Sequence, residues 1–188
     1  MNKLILILLS FLIVSCAVQP IPSDQFFLLE NQQTKINSFP LNQSIKLNKI
    51  KANGVFNSQE ILFYQDGSIQ KYNYFLWVDR PSNLIEQILF EKLQASIGSN
   101  IFNYDDRRIT DLILDIELME LYHNQEGPQS KVVLKATLTN NKTKNKVISK
   151  TFEEVYASSI DINNFTDNTN QAINKILQQI IEDIAKTI

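Results

Sequence analysis

The chain has 188 residues, of which 44% are hydrophobic and 20% charged, a size and composition typical of one globular domain with a short leader. Its formal net charge of -2 leaves no basic surplus to displace phosphate counterions, so we expect no nucleic-acid binding. Four glycines, one cysteine and one histidine are too few for a glycine-rich phosphate loop, an internal disulfide or a Cys/His metal cluster. The many Asn and Gln residues are interpreted as compositional bias.

The first 15 residues have the layout of a bacterial lipoprotein signal peptide. Lys3 gives a positive start, and an apolar run from Leu4 to Val14 follows that is too short to span a bilayer. The run ends in Ile-Val-Ser-Cys, the pattern that precedes the acylated cysteine of lipoproteins. We therefore predict cleavage before Cys16 and lipidation of its sulfur and new amino group, since stable anchoring needs more than one acyl chain.

Residues 16–24 are predicted to form a lipidated tether, and residues 25–188 a single periplasmic domain. Ala17 follows the cysteine, where Asp would retain an enterobacterial lipoprotein in the inner membrane. The position therefore favours the periplasmic face of the outer membrane over that of the inner membrane.

Short strands are predicted at the start of the domain, at residues 25–30 and 44–53. Residues 61–65 and 68–78 are two apolar runs on either side of Asp66-Gly67. An Asp-Gly pair in this position predicts a tight hairpin, because a type I′ turn needs positive φ at both central residues. Trp77 and Phe75 are expected on one face of the second hairpin strand, and Tyr74, Leu76 and Val78 on the other.

An amphipathic helix is predicted from Pro81 or Asn83 to Ile97, followed by Gly98 as a helix-ending residue. Three alternating runs then predict an antiparallel meander at residues 110–123, 131–140 and 146–157. A second amphipathic helix is predicted from Asn164 to Ile188, with Asp161 or Asn164 as its cap. The expected fold class is α+β, a mostly antiparallel sheet with both helices on one face.

No catalytic residue, cofactor site or metal site is predicted. Asp105-Asp106-Arg107-Arg108 is interpreted as a solvated turn with local ion pairs, because adjacent carboxylates on a strand point to opposite faces. His123 is expected to be an exposed residue at a strand end. The outward Asp115 and Glu117 are expected to pair with lysines on neighbouring strands, Lys131, Lys135 and Lys150. The remaining candidates for binding are four aromatic side chains that could face a partner or lipid: Tyr72, Tyr74, Phe75 and Trp77. The alternative interpretation is that these four side chains are part of the hydrophobic core.

The order of these elements resembles the ABC-type transport auxiliary lipoproteins, the periplasmic lipoprotein partners of MCE-type lipid transport systems. The resemblance rests on the leader ending at Cys16, the early Phe26-Phe27-Leu28-Leu29 strand, the strand at Ile45–Ile50, and the stretch from Ile69 to Leu93. In that stretch the spaced apolar residues of the family appear as Trp77, Leu84, Ile85, Ile88, Leu89 and Leu93. The chain departs from the family in its Ala52–Phe56 segment, which lacks the usual Pro and Tyr, and in the missing hairpin arginine.

The resemblance implies a non-catalytic, lipid-anchored accessory protein without cofactors. It would dock on an MCE-domain protein and, through it, serve an ABC permease and ATPase that move phospholipid between membranes. Two other interpretations remain. One is a structural or assembly lipoprotein of the outer membrane or of a secretion apparatus. The other is a lipid carrier, which would need an apolar internal cavity of several hundred Å³.

Overall fold

The computed structural model describes residues 22–32, 38–39 and 41–188, so the signal peptide and Cys16 lie outside the described residues. Two helices are present, α1 (Pro81–Ile97) and α2 (Ile162–Thr187), with a 3-10 turn at Gly54–Asn57. The strands of the described part are β1 (Gln25–Phe27), β2 (Ile45–Leu47), β3 (Lys51–Ala52), β4 (Glu60–Gln65), β5 (Ser68–Trp77), β6 (Ile101–Phe102), β7 (Leu112–Asn124), β8 (Gln129–Asn140) and β9 (Lys146–Ala157).

The fold class is α+β, as predicted, and the sheet is mixed. β7, β8 and β9 form the predicted antiparallel meander. β2, β3 and β4 pair in turn along the other side of β7, and all three run parallel to it. β5 and then β1 continue the sheet beyond β4, while β6 lies beyond β2. The sequence pattern did not indicate the parallel pairs, because apolar alternation marks the faces of a strand but not its neighbours.

The hairpin and both helices begin and end within two residues of the predicted bounds. Asp66 and Gly67 have φ of 51° and 74°, as a type I′ turn requires. Gly98 ends α1 at φ 95°, and Asp161 caps α2 by accepting a 3.1 Å hydrogen bond from the Asn164 amide. The apolar stripes of both helices are buried against one face of the sheet, the helix face. The opposite face is called the open face below.

A bulge near the middle of β7 changes which residues point into the core. Up to Leu118 the even-numbered residues are buried, but the register with β8 shifts between Leu118 and Glu120. Met119 is the extra residue, and one added residue moves every later side chain to the opposite face. Leu121 and His123 are therefore buried, so the expectation that His123 is exposed was wrong.

Candidate interaction surface

The buried side of the β4–β5 hairpin carries the first group of candidate residues. Trp77 is fully buried at the end of β5 and packs near Phe165 of α2, with ring centroids 6.4 Å apart. Phe75, half-buried on the same face, meets Phe27 of β1 edge to face at 6.0 Å. Trp77 is thus a core residue that cannot contact a partner at the surface, and Phe75 supports the same core.

Tyr72 belongs to a polar cluster inside this core. Its hydroxyl lies 2.6 Å from Nδ1 of His123 and accepts a 2.7 Å hydrogen bond from the Gln125 amide. The phenol donates to Nδ1 when the ring proton is on Nε2 and accepts from it when the proton is on Nδ1, so the hydrogen bond exists in either neutral tautomer. The His123 ring also stacks on Phe165 at 4.9 Å. Tyr72 therefore links the hairpin to β7 and is not a free ligand contact.

Burial sets the ionisation of this cluster. It lowers the pKa of His123 below 6.5, and the nearby Ser159 carbonyl opposes this shift only in part. Burial likewise raises the pKa of the Tyr72 hydroxyl, against the smaller effect of its bond from Gln125. Both groups are neutral near pH 7. Sequence pattern alone does not predict this cluster, since only the Met119 bulge turns His123 inward.

Tyr74 is the one member of the predicted aromatic set that is well exposed. Its φ is 65°, a left-handed conformation that non-glycine residues seldom adopt. The cause is an irregularity in the hairpin: Glu60 pairs with Leu76 but Leu62 pairs with Lys71, so β5 has extra residues between the two pairs. Tyr74 lies within this bulge, and unusual backbone of this kind is concentrated at functional sites.

Next to Tyr74, the open face of β1 and β5 presents four apolar side chains. Phe26 pairs in register with Leu76, and the Val78 amide donates a 2.9 Å hydrogen bond to the Phe27 carbonyl, which sets Leu28 beside Val78. Phe26 is 60% exposed, Leu28 48% and Val78 42%, while Leu76 is half-buried. We call Phe26, Leu28, Leu76 and Val78 the β1–β5 patch.

The segment after β1 is held in the groove between the two helices by buried polar side chains. Asn170 accepts from the Glu30 amide at 2.8 Å, and Asn174 accepts from the Gln32 amide at 3.0 Å and donates to the Glu30 carbonyl at 2.8 Å. From α1, the fully buried Lys92 donates to the Gln32 carbonyl at 2.9 Å, and desolvation lowers the pKa of this lysine. Asn170 and Asn174 thus have a structural role that the interpretation of Asn as compositional bias missed.

The charged cluster of residues 105–108 is a local ion pair, as expected. Arg108 binds Asp106 at 2.7 Å and lies over the Phe102 ring at 4.0 Å. This pairing lowers the pKa of Asp106 to about 2. Among the lysines expected to face Asp115 and Glu117, Lys135 lies opposite Glu117 in the ladder and Lys131 pairs with Glu120 at 2.9 Å. Lys150 instead pairs with Asp183 of α2 at 2.7 Å, because it lies on the helix face.

Two surface pockets of the described domain lack the apolar lining of an acyl-chain site. One of about 440 Å³, at the start of α1, is lined by Lys49, Lys51 and Arg80 together with Asn57 and Asn83. Another, of about 280 Å³, is lined mainly by polar residues around Asp111 and Asn140. Such linings favour water and ions over hydrocarbon. The described residues contain no cluster of three or more His, Cys, Asp or Glu side chains that could hold a metal. None of the helices in the described part is long and apolar enough to cross a membrane.

Comparison with known families identifies the family of this chain. The family model of the ABC-type transport auxiliary lipoprotein component matches residues 27–185. The chain belongs to this family. The match runs from the last residue of β1 into the last turn of α2, so it includes the hairpin, the helix groove and all of the β1–β5 patch except Phe26. No curated protein matches the chain.

Solved structures share the fold at low identity. Protein XCC0632 from Xanthomonas campestris is 18% identical with a TM-score of 0.75, over 87% of this chain and 96% of that one. A structure described as an uncharacterized protein is 11% identical with a TM-score of 0.64, over 88% and 98%. The hypothetical protein CT253 from Chlamydia trachomatis is 6% identical with a TM-score of 0.52, over 77% and 97%. At these identities the likeness concerns the fold alone.

Proposed function

We propose that this chain is a non-catalytic, lipid-anchored periplasmic subunit of an MCE/ABC-type system that moves phospholipid between the two membranes. The observation that carries the proposal is the family match over residues 27–185, whose description is an auxiliary lipoprotein component of ABC-type transport. The subunit docks on the MCE-domain protein, and the permease and ATPase are separate chains. It is anchored through acylated Cys16 on the periplasmic face of the outer membrane.

The side chains of the domain support a binding role. Three charged residues of the 103–111 loop are engaged within the chain: Arg108 binds Asp106, and Asp111 accepts from the Ser44 hydroxyl at 2.7 Å. The only histidine is enclosed in the core with Tyr72. The described domain would therefore bind other molecules through its surface, which includes the exposed apolar side chains on the open face.

The test is affinity capture of the full acylated chain from envelope extract in a mild detergent, with the bound proteins identified by mass spectrometry. We expect an MCE-domain protein among them, enriched over capture with an unrelated lipoprotein tagged in the same way. Recovery of a secretion or outer-membrane assembly complex instead would favour the structural alternative. Absence of any MCE-domain protein, with the tagged chain fully recovered, would overturn the proposal.

A further inference from the structure

The β1–β5 patch lies where the chain enters the folded domain. Pro22 is the first described residue and lies three positions before β1, and Phe26 is the second residue of that strand. Cys16 precedes Gln25 by nine positions, and nine residues span at most about 30 Å when fully extended. An acyl group on Cys16 therefore keeps the bilayer surface close to β1, whatever course the intervening residues take.

The shape and chemistry of the patch suit a lipid surface. β1 is the last strand on its side of the sheet among the described residues, so no further strand covers Phe26. Phe26 and Leu28 project from the same side of the sheet as the exposed Val78, which follows the neighbouring strand β5. Tyr74 adds an aromatic ring with a polar tip, the kind of side chain that settles at the boundary between headgroups and hydrocarbon.

The charges around the patch do not attract anionic lipid. Lys71 is paired with Glu60 at 2.6 Å, and Asp79 lies next to Arg80, which donates its amide to that carboxylate at 2.6 Å. Asp24 and Glu30 add two exposed carboxylates on either side of Phe26 and Leu28. Contact with the bilayer would therefore depend on apolar burial, and raising the salt concentration should not weaken it.

We propose that the β1–β5 patch, with Tyr74 at its border, rests in the interfacial layer of the membrane that holds the anchor. This proposal rests on the proposed lipidation of Cys16. The patch would give the domain a second contact with the membrane, in addition to the lipid anchor. This second contact fixes the orientation of the domain. The open face of β1 and β5 then meets the bilayer, and the far ends of β7 and β8 point away from it.

Tryptophan fluorescence in the full acylated chain tests this orientation. Phe26→Trp places a probe in the patch, and Ile109→Trp places one at the opposite end of the sheet, where Ile109 is 93% exposed just before β7. From Leu112 to Glu120, which lies near the start of β4, strand β7 rises about 25 Å at 3.3 Å per residue, so Ile109 lies well outside the proposed contact. Buried Trp77 gives the same background in both proteins.

Each protein is reconstituted in vesicles of phosphatidylethanolamine and phosphatidylglycerol containing brominated acyl chains. The F26W emission is expected to shift to the blue and to lose at least half its added intensity to bromine, and no less in 500 than in 50 mM salt. The I109W emission should be unchanged by bromine. Equal quenching of both probes, or none at F26W while the protein stays bound to the vesicles, would overturn the proposal.

A protein occupant of the patch would give a different result. In that case F26W would remain unquenched in vesicles, while Phe26→Ser would abolish capture of the MCE-domain protein. Under the membrane proposal, Phe26→Ser should leave capture in detergent intact. Failure of the capture experiment with the unsubstituted chain would count against the transport role alone, because the quenching result depends only on the anchor and the patch.

Discussion

At the scale of single residues, the chain places its one titrating imidazole inside the core. His123 is enclosed between Tyr72 of the hairpin and Phe165 of α2, with its Nδ1 2.6 Å from the phenol oxygen. Protonation of the ring would place a cation in the core, where burial disfavours the charged form. The enclosed site therefore favours the neutral imidazole.

The stability of the fold should consequently depend on pH in the range where histidine titrates. Burial lowers the pKa of His123 in the folded state below 6.5, so the unfolded chain binds more protons as the pH falls. Stability rises with pH wherever the unfolded state binds more protons, and it is lost as the pH falls through about 6.5 toward the folded-state pKa. Urea unfolding should give a smaller free energy of unfolding at pH 5.5 than at pH 7.5.

The matched control for this pH effect is His123→Gln, which removes the titrating group. That variant should be less stable at pH 7.5 but show little change down to pH 5.5, because this chain has no other histidine and its carboxylates titrate lower. A pH effect of the same size in both proteins would show that His123 is not its source.

At the scale of elements, the Met119 bulge allows β7 to place apolar side chains in the core both before and after the irregularity. Two residues of β7, Met119 and Glu120, lie opposite Val133 of β8. Deletion of Met119 would leave Leu118 opposite Leu134 and Leu121 opposite Val132, with every later side chain on its present face. We expect the deletion variant to fold, at a cost of about 1–2 kcal/mol in the free energy of unfolding, in the range of ordinary single-residue changes.

Deletion of Asp115 is the contrasting variant. It removes one residue from the regular part of β7 and would turn Leu112 and Leu114, or else the whole run after them, to the wrong face. This protein should fail to accumulate in soluble form, as judged by circular dichroism and gel filtration. Equal tolerance of the two deletions would show that the bulge does not set the register.

A second element-scale prediction concerns the two asparagines that hold residues 28–32. Asn174 is buried and makes three hydrogen bonds, to the Gln32 amide and to the carbonyls of Glu30 and Asn170. Asn174→Ala leaves buried backbone groups without partners and should cost about 1–3 kcal/mol in urea unfolding. Asn163→Ala, at an exposed site on the same helix, is the control and should change stability by less than about 0.5 kcal/mol. Similar losses in both variants would contradict the role of Asn174.

How far the sequence predicts this fold differs from element to element. The Asp66-Gly67 turn, the α1 stripe and the alternation of β7 follow from local rules, and each was predicted correctly. The parallel addition of β2, β3 and β4 to β7 depends on long-range pairing that alternation does not specify. The candidate site shows the same difference. Tyr74 could be predicted as a candidate because it is an aromatic residue of the hairpin. The exposure of Phe26 and Val78 could not, because it depends on β1 being the last strand on that side of the sheet.

At the scale of the whole molecule, the lipid anchor proposed on Cys16 would decide where the domain acts. Without acyl groups the β1–β5 patch is a small apolar surface, and one weak contact does not hold a protein on a bilayer. Acylation adds about 0.8 kcal/mol for each CH₂ that enters the membrane, and several chains together make attachment stable. The patch can then orient the domain, because the anchor already keeps it near the surface.

Replacement of the proposed acylation site should therefore remove the lipid anchor without unfolding the domain. Cys16→Ala removes the only cysteine, at a site outside the described domain. In cell fractionation the variant should incorporate no labelled palmitate and should retain its uncleaved 15-residue leader, because lipoprotein processing follows acylation of the cysteine. Ser10→Ala, a change within the apolar run of the same leader, is the control and should be acylated and cleaved normally. Palmitate incorporation by Cys16→Ala would place the anchor elsewhere, and the orientation proposed for the β1–β5 patch would then lose its basis, since the bilayer would no longer be tied to within about 30 Å of Gln25.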